Sequence, residues 1–310
     1  MKKPKICVVG SSNTDMMVKV PRIPQPGETI LGGEFITAAG GKGANQAVAA
    51  ARAGGNVTFI ARVGNDIFGT QAIASLVANR INTKFVFRDK NHPSGAALIF
   101  VANDGQNSIA VASGANGHLS PMNVKQAEPA IIRADILVAQ LETPLPTVIA
   151  AVQLAAKHRV PIILNPAPAN SLPANLLHCI SVLTPNESEA ELLTGVKITS
   201  NVSAMRAAKK LRARGVKKVV ITLGANGAFI SDEIGERHCP GFKVKALDTT
   251  AAGDVFNGAL AVALAEGKTL DSGVRFACAA AALSVTRPGA QTSVPTRANI
   301  EAVLSAGRQS

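Results

Sequence analysis

The sequence predicts an α/β protein in which helices cover both faces of a mostly parallel β-sheet. Two observations predict this fold class. Short apolar runs typical of buried strands alternate along the chain with longer runs of helical periodicity, a pattern typical of parallel sheets covered by helices. Glycine-rich and polar motifs stand where predicted strands end or predicted helices begin, which is where such sheets bind ligands.

The regular elements follow from this apolar patterning. Strands are predicted at residues 5–9, 57–63, 136–141, 161–164, 182–184 and 219–222. Helices are predicted at residues 44–52, 69–80, 145–157, 187–193, 203–214, 255–265 and 269–286.

Two segments break the alternation. Residues 16–40 have strand-like patterning around Pro26-Gly27 and no helical period, and residues 95–113 read as two strands around Asn103-Asp104-Gly105. Both could be plain excursions of the sheet. An apolar face formed by Ala96, Leu98, Phe100, Ile109 and Val111 would need a cover, which favours a dimer. Because repeats and long linkers are absent, we expect residues 1–310 to form a single domain.

Composition restricts the class of protein. Hydrophobic residues make up 47% of the 310 residues, which is enough for a full core and argues against disorder. No apolar stretch reaches the ~18 residues of a membrane span, and the run from Ile6 to Val9 is too short for a signal peptide. The four cysteines show no metal-binding spacing. These features predict a cytoplasmic enzyme without disulfides.

The net charge of +12 requires that nucleic-acid binding be considered. The densest basic stretch, residues 206–218, is expected to be the solvated face and C-terminal end of a helix. The chain has neither Tyr nor Trp to stack on bases, and it has no zinc-finger pattern. We therefore predict no nucleic-acid partner and interpret the positive field as one that attracts anionic metabolites.

The most informative run is Asp-Thr-Thr-Ala-Ala-Gly-Asp-Val-Phe-Asn-Gly at residues 248–258, in which small residues lead into an apolar helix and Asp254 stands where the helix begins. A helix N-terminus presents unpaired N–H groups and suits a phosphate. Two interpretations stay open. Asp254 caps the helix, or it accepts the proton of a hydroxyl that attacks a bound phosphate. In the second interpretation, a phosphate site and an adjacent base are the two features that a kinase acting on an alcohol needs at the least.

A second glycine-rich run, Gly-Gly-Lys-Gly-Ala-Asn-Gln at residues 40–46, opens another apolar helix. It matches neither the P-loop nor the dinucleotide fingerprint, because its glycine spacing is wrong for both. It could be a plain strand-to-helix turn. Alternatively, Lys42 and Asn45 could donate to sugar hydroxyls while the glycines let the backbone come close.

Together these two runs resemble the signatures of the ribokinase-like (phosphofructokinase-B) carbohydrate kinases. The resemblance extends over nearly the full length, because seven further motifs follow in the family's order. They are Gly-Ser-Ser-Asn-Thr-Asp at 10–15, Pro-Gly-Glu-Thr at 26–29, Gln-Leu-Glu at 140–142, Asn-Pro-Ala-Pro at 165–168, Thr-Pro-Asn-Glu-Ser-Glu at 184–189, Thr-Leu-Gly-Ala-Asn-Gly at 222–227 and Arg-Pro-Gly-Ala-Gln at 287–291. A chance match to so many spaced motifs is far less expected than a match to one.

The resemblance implies a ribokinase-like fold with a small β-sheet lid, formed by residues of about 16–40 and 95–113, which closes over a sugar and pairs with a second subunit. It implies ATP-dependent phosphorylation of D-ribose at the 5-hydroxyl, or of 2-deoxyribose or another small sugar as the alternative. Asp254 would be the general base, and the N–H groups of Ala251, Ala252 and Gly253 the anion hole.

The resemblance also assigns roles to residues whose types alone leave a plainer alternative. Asp15 could be an ordinary turn acid, and Asn186 with Glu189 a helix cap. The implied sugar site consists of Asn13, Thr14, Asp15, Gly41, Lys42, Gly43, Ala44, Asn45, Glu142 and Asp254. The implied ATP and Mg²⁺ site consists of Asn186, Glu189, Thr222, Leu223, Gly224, Ala225, Asn226, Gly227, Gly253 and Cys278.

Two details complete these implications. Cys278 stands where family members often carry a longer polar side chain, which weakens the expected adenine contact there but not the expected use of ATP. A K⁺ site is implied by the resemblance alone, because the residue types by themselves indicate only a turn. Oxygen ligands of low total charge do suit K⁺. Its residues would be Asp248, Thr250, Ser284, Arg287, Gly289 and Ser293.

Overall fold

The computed structural model describes residues 3–306 and contains two β-sheets and eleven α-helices in that range. The strands are β1 Lys5–Val9, β2 Asn13–Val20, β3 Phe35–Gly40, β4 Asn56–Gly64, β5 Asn82–Asp89, β6 Gly95–Ala102, β7 Asn107–Ala112, β8 Ile136–Ala139, β9 Ile162–Leu164, β10 Val182–Leu183, β11 Lys218–Thr222, β12 Ala228–Ser231 and β13 Glu236–Cys239.

The helices cover the larger sheet. They are α1 Lys42–Arg52, α2 Ile67–Ala78, α3 Pro121–Gln126, α4 Glu128–Ile131, α5 Leu145–Lys157, α6 Ala174–Leu177, α7 Glu187–Thr194, α8 Asn201–Ala213, α9 Ala252–Ala265, α10 Leu270–Ser284 and α11 Arg297–Ala306. Two 3₁₀ turns, Gly114–His118 and Gly224–Asn226, complete the list.

The larger sheet has nine strands in the order β13-β12-β11-β10-β9-β8-β1-β4-β5. All neighbours from β11 to β5 are parallel, and only the β11-β12-β13 edge is antiparallel. The predicted α/β fold with a mostly parallel sheet is confirmed. Because parallel strands share one carboxyl-terminal edge, the loops after β1, β8, β10 and β11 meet there.

Both faces of this sheet are buried, as its apolar strands predict. In β1, Ile6 and Val8 pack into a core with α1, α9 and α10, whereas Cys7 and Val9 pack into a second core with α5 and α8. This alternation follows from the two-residue period of a strand. The sheet is therefore held between two helical layers, and its strand ends are rigid supports for loops.

The smaller sheet has four strands in the order β3-β2-β6-β7, and its strands lie within or next to the two segments that break the alternation. The β6–β7 hairpin follows the prediction, but the predicted apolar face is wrong. The register pairs Leu98 with Ala110 and Ile99 with Ile109. Paired residues point to the same side of a sheet, so Ile109 and Val111 lie on the face opposite Leu98.

Each face of the smaller sheet has a distinct character. Phe35, Leu98 and Phe100 lie on one face, and Phe35 and Leu98 are exposed. Asp15 lies on the other face with Ile109 and Val111, because Asp15 pairs with Ala97 and Ala97 pairs with Val111. The polar strand end that carries Asp15 and the largest exposed apolar side chain therefore lie on opposite faces.

Several elements differ from the sequence prediction. Helix α9 begins at Ala252 rather than at residue 255, and α1 begins at Lys42 rather than at 44. Strand β8 ends at Ala139 rather than at residue 141, so Glu142, which would have followed the strand directly, lies within the loop after it. Strands β5, β12 and β13 and helices α3, α4, α6 and α11 were not predicted. Charged residues interrupt β5 and β13, and α4 and α6 have only four residues each.

Candidate active site

Asp254 lies in the first turn of α9, where it is 6% exposed and does not cap the helix. Its carboxylate instead accepts hydrogen bonds across the interface with α1. Nδ2 of Asn45 donates to Oδ2 at 3.1 Å, and Nε2 of Gln46 donates to Oδ1 at 2.9 Å. The capping interpretation of Asp254 is therefore wrong. Two amides fix the plane of the carboxylate and leave further lone pairs for a third donor.

The backbone at the start of α9 is shaped for close approach. Ala251 has φ 59°, a left-handed conformation that is uncommon outside glycine and often marks a functional turn. The N–H of Ala252 donates to the carbonyl of Thr249 at 3.2 Å. Gly253 and Asp254 follow at positions whose N–H groups have no intrahelical acceptor. Of the three residues predicted to bind an anion, Gly253 is thus the one best placed to offer an N–H.

Lys42 places a positive charge among three carboxylates. Burial alone would lower the pKa of Lys42, but the charges of Asp254, Glu142 and Glu189 outweigh it and hold the pKa above its ordinary value. The preceding residue, Gly41, caps α1 with φ 87°, and a Cβ there would lie 2.7 Å from the backbone nitrogen of Asn13. Only glycine lets α1 start this close to β2, so the turn brings Lys42 to the site.

The predicted sugar-side residues converge from three segments. Asn13, Thr14 and Asp15 open β2, Gly41 to Asn45 form the start of α1, and Glu142 follows β8. Glu142 Oε2 accepts from the hydroxyl of Ser11 at 2.6 Å and from the N–H of Lys42 at 3.0 Å. The carboxylate therefore ties the end of β1 to the start of α1.

Asp15 is held in an environment that disfavours its charge. Burial first, and then the negative charges of Glu142 and Asp254, raise the pKa of Asp15 from 3.8 to about 6. Burial also raises the pKa of Asp254, against the opposing effects of Lys42, Gln46 and Asn45. Like charges close together in a site of low dielectric cost stability, and they are typical of sites that bind polar ligands.

Asn186 and Glu189 form a reciprocal capping box at the start of α7. Oδ1 of Asn186 accepts from the N–H of Glu189 at 2.8 Å, and Oε2 of Glu189 accepts from the N–H of Asn186 at 2.9 Å. The two residues also line a cavity of about 190 Å³ together with Lys42, Gly253 and Asp254. Oδ1 of Asn186 also accepts from the hydroxyl of Ser188 at 2.8 Å, so both of its lone pairs are used, whereas Oε1 of Glu189 accepts from no protein donor within residues 3–306. The capping role and the predicted place beside the anion site therefore coexist most directly for Glu189.

The predicted ATP loop, residues 222–227, follows β11. Thr222 lines the cavity that contains Asp254, while Leu223 and Asn226 line a separate cavity of about 380 Å³ with His238. Gly224, Ala225 and Asn226 form a 3₁₀ turn that ends at Gly227. Cys278 lines neither of these two cavities. Its side chain is 6% exposed in the core and contacts Cys239.

The predicted cation loop is partly assembled. Oδ1 of Asp248 accepts from the N–H of Thr250 at 2.9 Å, and Oδ2 accepts from the N–H of Gly289 at 2.7 Å. The hydroxyls of Ser284 and Ser293 donate to carbonyls of their own turns. Among residues 3–306 the guanidinium of Arg287 makes no hydrogen bond or ion pair. Within residues 3–306, no cluster of three or more His, Cys, Asp or Glu side chains could hold a metal ion.

An amide network behind Asp254 was not predicted. Nε2 of Gln46 also donates to Oδ1 of Asn165 at 3.1 Å, and Oε1 of Gln46 accepts from Nε2 of Gln140 at 2.6 Å. Gln46 and Gln140 are fully buried. Asn165 and Thr184 also line the cavity of Asp254. The motifs that contain these residues were recognised, but a motif alone does not tell which members face the ligand and which support it.

The arrangement is suited to moving a phosphoryl group onto a hydroxyl. A buried carboxylate lies next to a helix N-terminus and a half-buried ammonium, and these groups can accept a proton and stabilise phosphate charge. The site and the fold together define an α/β phosphotransferase that acts on a small polar molecule.

Comparison with known proteins agrees with this class. The model of the pfkB family carbohydrate kinases matches residues 3–297. A ribokinase of Haemophilus influenzae is 48% identical over 94% of this chain and 95% of its own length. The ribokinase of Arabidopsis thaliana, solved in complex with ribose and ATP, is 34% identical with a TM-score of 0.89 over 98% of this chain and 99% of its own.

The chain therefore belongs to the pfkB family of carbohydrate kinases and is a sugar kinase with the ribokinase-like fold. A deoxyribokinase of Salmonella typhi is also similar, at 36% identity over 97% of this chain and 98% of its own length. In the described residues, no helix is long and apolar enough to cross a membrane.

We predict that Asp15→Asn stabilises the protein at high pH while impairing activity. The folded-state pKa of Asp15 lies above its unfolded value, so ionisation costs stability as pH rises from about 4 to about 6. At pH 8 the variant should gain on the order of 1–3 kcal/mol in unfolding free energy, and at pH 4 almost nothing. Urea titrations at both pH values measure this.

The matched control is Asp104→Asn, because Asp104 lies in the exposed turn between β6 and β7. This variant should differ from the wild type by less than about 0.5 kcal/mol at either pH. A stability at pH 8 that is equal to or lower than the wild type's would contradict the charge environment assigned to Asp15.

Proposed function

We propose that the protein phosphorylates D-ribose at the 5-hydroxyl, using ATP and releasing ADP and D-ribose 5-phosphate. The single observation that carries this is the buried Asp254 carboxylate, oriented by two amides and placed beside the N-terminus of α9 in one cavity with Lys42. Kinship with ribokinases over nearly the whole chain supports the choice of sugar.

Asp254 acts as the general base in this reaction. The 5-hydroxyl oxygen attacks the γ-phosphorus of ATP as its proton passes to the Asp254 carboxylate, and the bond from that phosphorus to the bridging oxygen breaks, leaving ADP. Burial raises the pKa of Asp254, which makes it a better base than an exposed carboxylate. Asn45 and Gln46 keep its lone pairs aimed at the hydroxyl.

Charge on the transferring group is balanced by fixed donors. The N–H of Gly253 and the dipole of α9 face the peripheral oxygens, and the ammonium of Lys42 lies in the same cavity. The unused Oε1 of Glu189 would hold Mg²⁺, largely through water because this ion keeps much of its hydration, and the ion would supply positive charge against the phosphates.

The sugar is recognised at the opposite end of the site by Asp15, Asn13 and the start of α1. A carboxylate with two oxygens accepts from two neighbouring hydroxyls, and an asparagine amide both donates and accepts. Phosphorylation of 2-deoxyribose by the same machinery is the alternative, supported by the kinship with a deoxyribokinase. A cytoplasmic location accords with four free cysteines among the described residues.

The experiment that tests the assignment is a coupled ADP-release screen across pentoses, 2-deoxyribose, hexoses and nucleosides. Ribose should give the highest kcat/KM, with 2-deoxyribose lower by roughly tenfold, because a site built for a hydroxyl is left with unpaired polar groups when it is missing. A preference for 2-deoxyribose would shift the function to the alternative, and a preference for a hexose or nucleoside would overturn both.

We predict that Asp254→Asn retains ribose and ATP binding but lowers kcat by about 10²–10⁴, since a positioned general base contributes that much. The single oxygen of the new amide can accept from Gln46 or from Asn45 but not from both, so a thermal melt should first show that the variant is folded. Calorimetry of both substrates checks binding, and the ADP assay checks kcat. Turnover within a factor of three of the wild type would remove Asp254 from the chemistry.

We predict activation by K⁺, with Na⁺ a poor substitute. Asp248, Thr250 and Gly289 come together immediately before α9, and oxygen ligands with one carboxylate fit a monovalent cation. A bound K⁺ would neutralise Asp248 and stiffen the loop that carries Gly253. Initial rates in KCl and NaCl at matched ionic strength measure the effect, and equal rates in both salts would exclude it.

We also propose a homodimer that covers the face of the smaller sheet carrying Phe35, Leu98 and Phe100. Phe35 is 64% and Leu98 51% exposed, and three strands contribute to this face. We predict that Leu98→Lys yields a monomer by light scattering, because a buried lysine would lack a partner. Val111→Lys on the opposite face is the control and should remain dimeric. A dimeric Leu98→Lys variant would place the interface elsewhere.

A further inference from the structure

A buried asparagine outside every predicted site touches the sugar-side strand. Asn116 lies in the 3₁₀ turn Gly114–His118, which directly follows the smaller sheet's last strand. Asn116 is 1% exposed, and the sequence around it contains no motif that indicates ligand binding. The contacts of Asn116 nevertheless lie on β2 and the residue before it, where the candidate sugar site begins.

The amide of Asn116 is fixed by the main chain of Ser12. Its Oδ1 accepts from the N–H of Ser12 at 2.9 Å, and its Nδ2 donates to the carbonyl of Ser12 at 3.1 Å. A main-chain N–H can only donate and a carbonyl can only accept. The two contacts therefore specify which end of the Asn116 amide is oxygen and which is nitrogen.

The same Nδ2 passes this orientation to Asn13. It donates to Oδ1 of Asn13 at 2.7 Å, so the oxygen of the Asn13 amide faces inwards. Gly95 closes the other side, because a Cβ there would lie 2.2 Å from Nδ2 of Asn116 and 2.3 Å from Oδ1 of Asn13. Within residues 3–306, Nδ2 of Asn13 donates to no protein acceptor and is the end left for a ligand.

We propose that Asn116 is a positioning residue for sugar specificity, which locks the amide of Asn13 so that it meets the sugar as a donor. The proposal rests on the proposed phosphorylation of ribose and on the sugar-side role of Asn13. An unlocked amide could turn by 180° and offer either end to the ligand. With the amide locked, Nδ2 of Asn13 donates a hydrogen bond to a hydroxyl at the 2-position of the sugar. A 2-deoxy sugar has a methylene there, so Nδ2 is left unpaired.

The orientation can be tested on the wild-type enzyme with 2-deoxy-2-fluoro-D-ribose. Fluorine can accept a hydrogen bond weakly but cannot donate one. With Nδ2 of Asn13 facing the sugar, we expect kcat/KM for the fluoro sugar to exceed that for 2-deoxyribose by about threefold or more. A fluoro sugar used no better than 2-deoxyribose would overturn the orientation. This measurement does not depend on the folding of any variant.

The coupling is tested by a double-mutant cycle. Asn116→Ala should raise KM for ribose by about tenfold with little change in kcat, and should narrow the ratio of kcat/KM between ribose and 2-deoxyribose. In an Asn13→Ala background, Asn116→Ala should leave that ratio unchanged, because the residue through which it acts is gone. An unchanged ratio in the single variant, or additive effects in the double variant, would overturn the proposal.

Asn123→Ala serves as the structural control. Asn123 is also buried, and it caps α3 through Ser120 without touching Asn13. The Asn123→Ala variant should have a lower Tm but the wild-type ratio of kcat/KM between ribose and 2-deoxyribose. If this ratio falls as much as in Asn116→Ala, then Asn116 acts only through stability. A wild-type enzyme that does not phosphorylate ribose would overturn the proposed function. An active one with an unchanged ratio in Asn116→Ala would overturn this inference alone.

Discussion

The site depends on how one buried carboxylate is kept charged and aimed. Asp254 lies inside the protein, where an unpaired charge would be expelled or neutralised. Lys42 supplies the opposing charge, and Asn45 and Gln46 supply two amide donors. Because all three come from the first turns of α1, the packing of α1 against α9 determines the direction of the carboxylate. Residues of the central sheet and its helices that touch no ligand therefore still affect the geometry of the reaction.

The carboxylates around Lys42 lower the stability of the folded protein, because their negative charges repel one another. The charges of Glu142 and Asp254 raise the pKa of Asp15, the charge of Glu142 also raises the pKa of Asp254, and one lysine cannot neutralise all three carboxylates. A fold without a ligand to bind would not keep them together. The rigid strand ends make the arrangement tolerable, since the two apolar cores on either side of the sheet prevent the charged loops from moving apart. In the proposed reaction, the hydroxyls of the sugar and the phosphate would supply the hydrogen-bond and charge partners that these carboxylates and Lys42 lack.

Much of the fold and of the candidate site could be predicted from the sequence, and the predictions that were wrong or missing have physical reasons. The parallel sheet and the helices of its two layers follow from apolar period and length, as in β1 and α5. The motifs single out Asp254, Lys42 and Glu189, which line one cavity in the structure. Period alone could not give the register of the β6–β7 hairpin, and a one-residue difference moved Ile109 and Val111 to the opposite face from Leu98. Asn116 left no signal, because its partners lie more than a hundred residues away.

Amides, rather than charges, carry most of the directional information in this site. A carboxylate accepts at any of its lone pairs, whereas an amide has one donating and one accepting end, and a fixed neighbour decides which is which. The chain Gln140 to Gln46 to Asp254 and the chain Ser12 to Asn116 to Asn13 use this property at opposite ends of the site. Each chain of hydrogen bonds starts from a residue in or beside the larger sheet, Gln140 or Ser12. Each ends at a residue of the candidate site, Asp254 or Asn13. The sheet thereby sets which end of each amide faces the site as well as where it lies. If Asn116 has the proposed role, a side chain outside the recognised motifs influences which sugar is accepted.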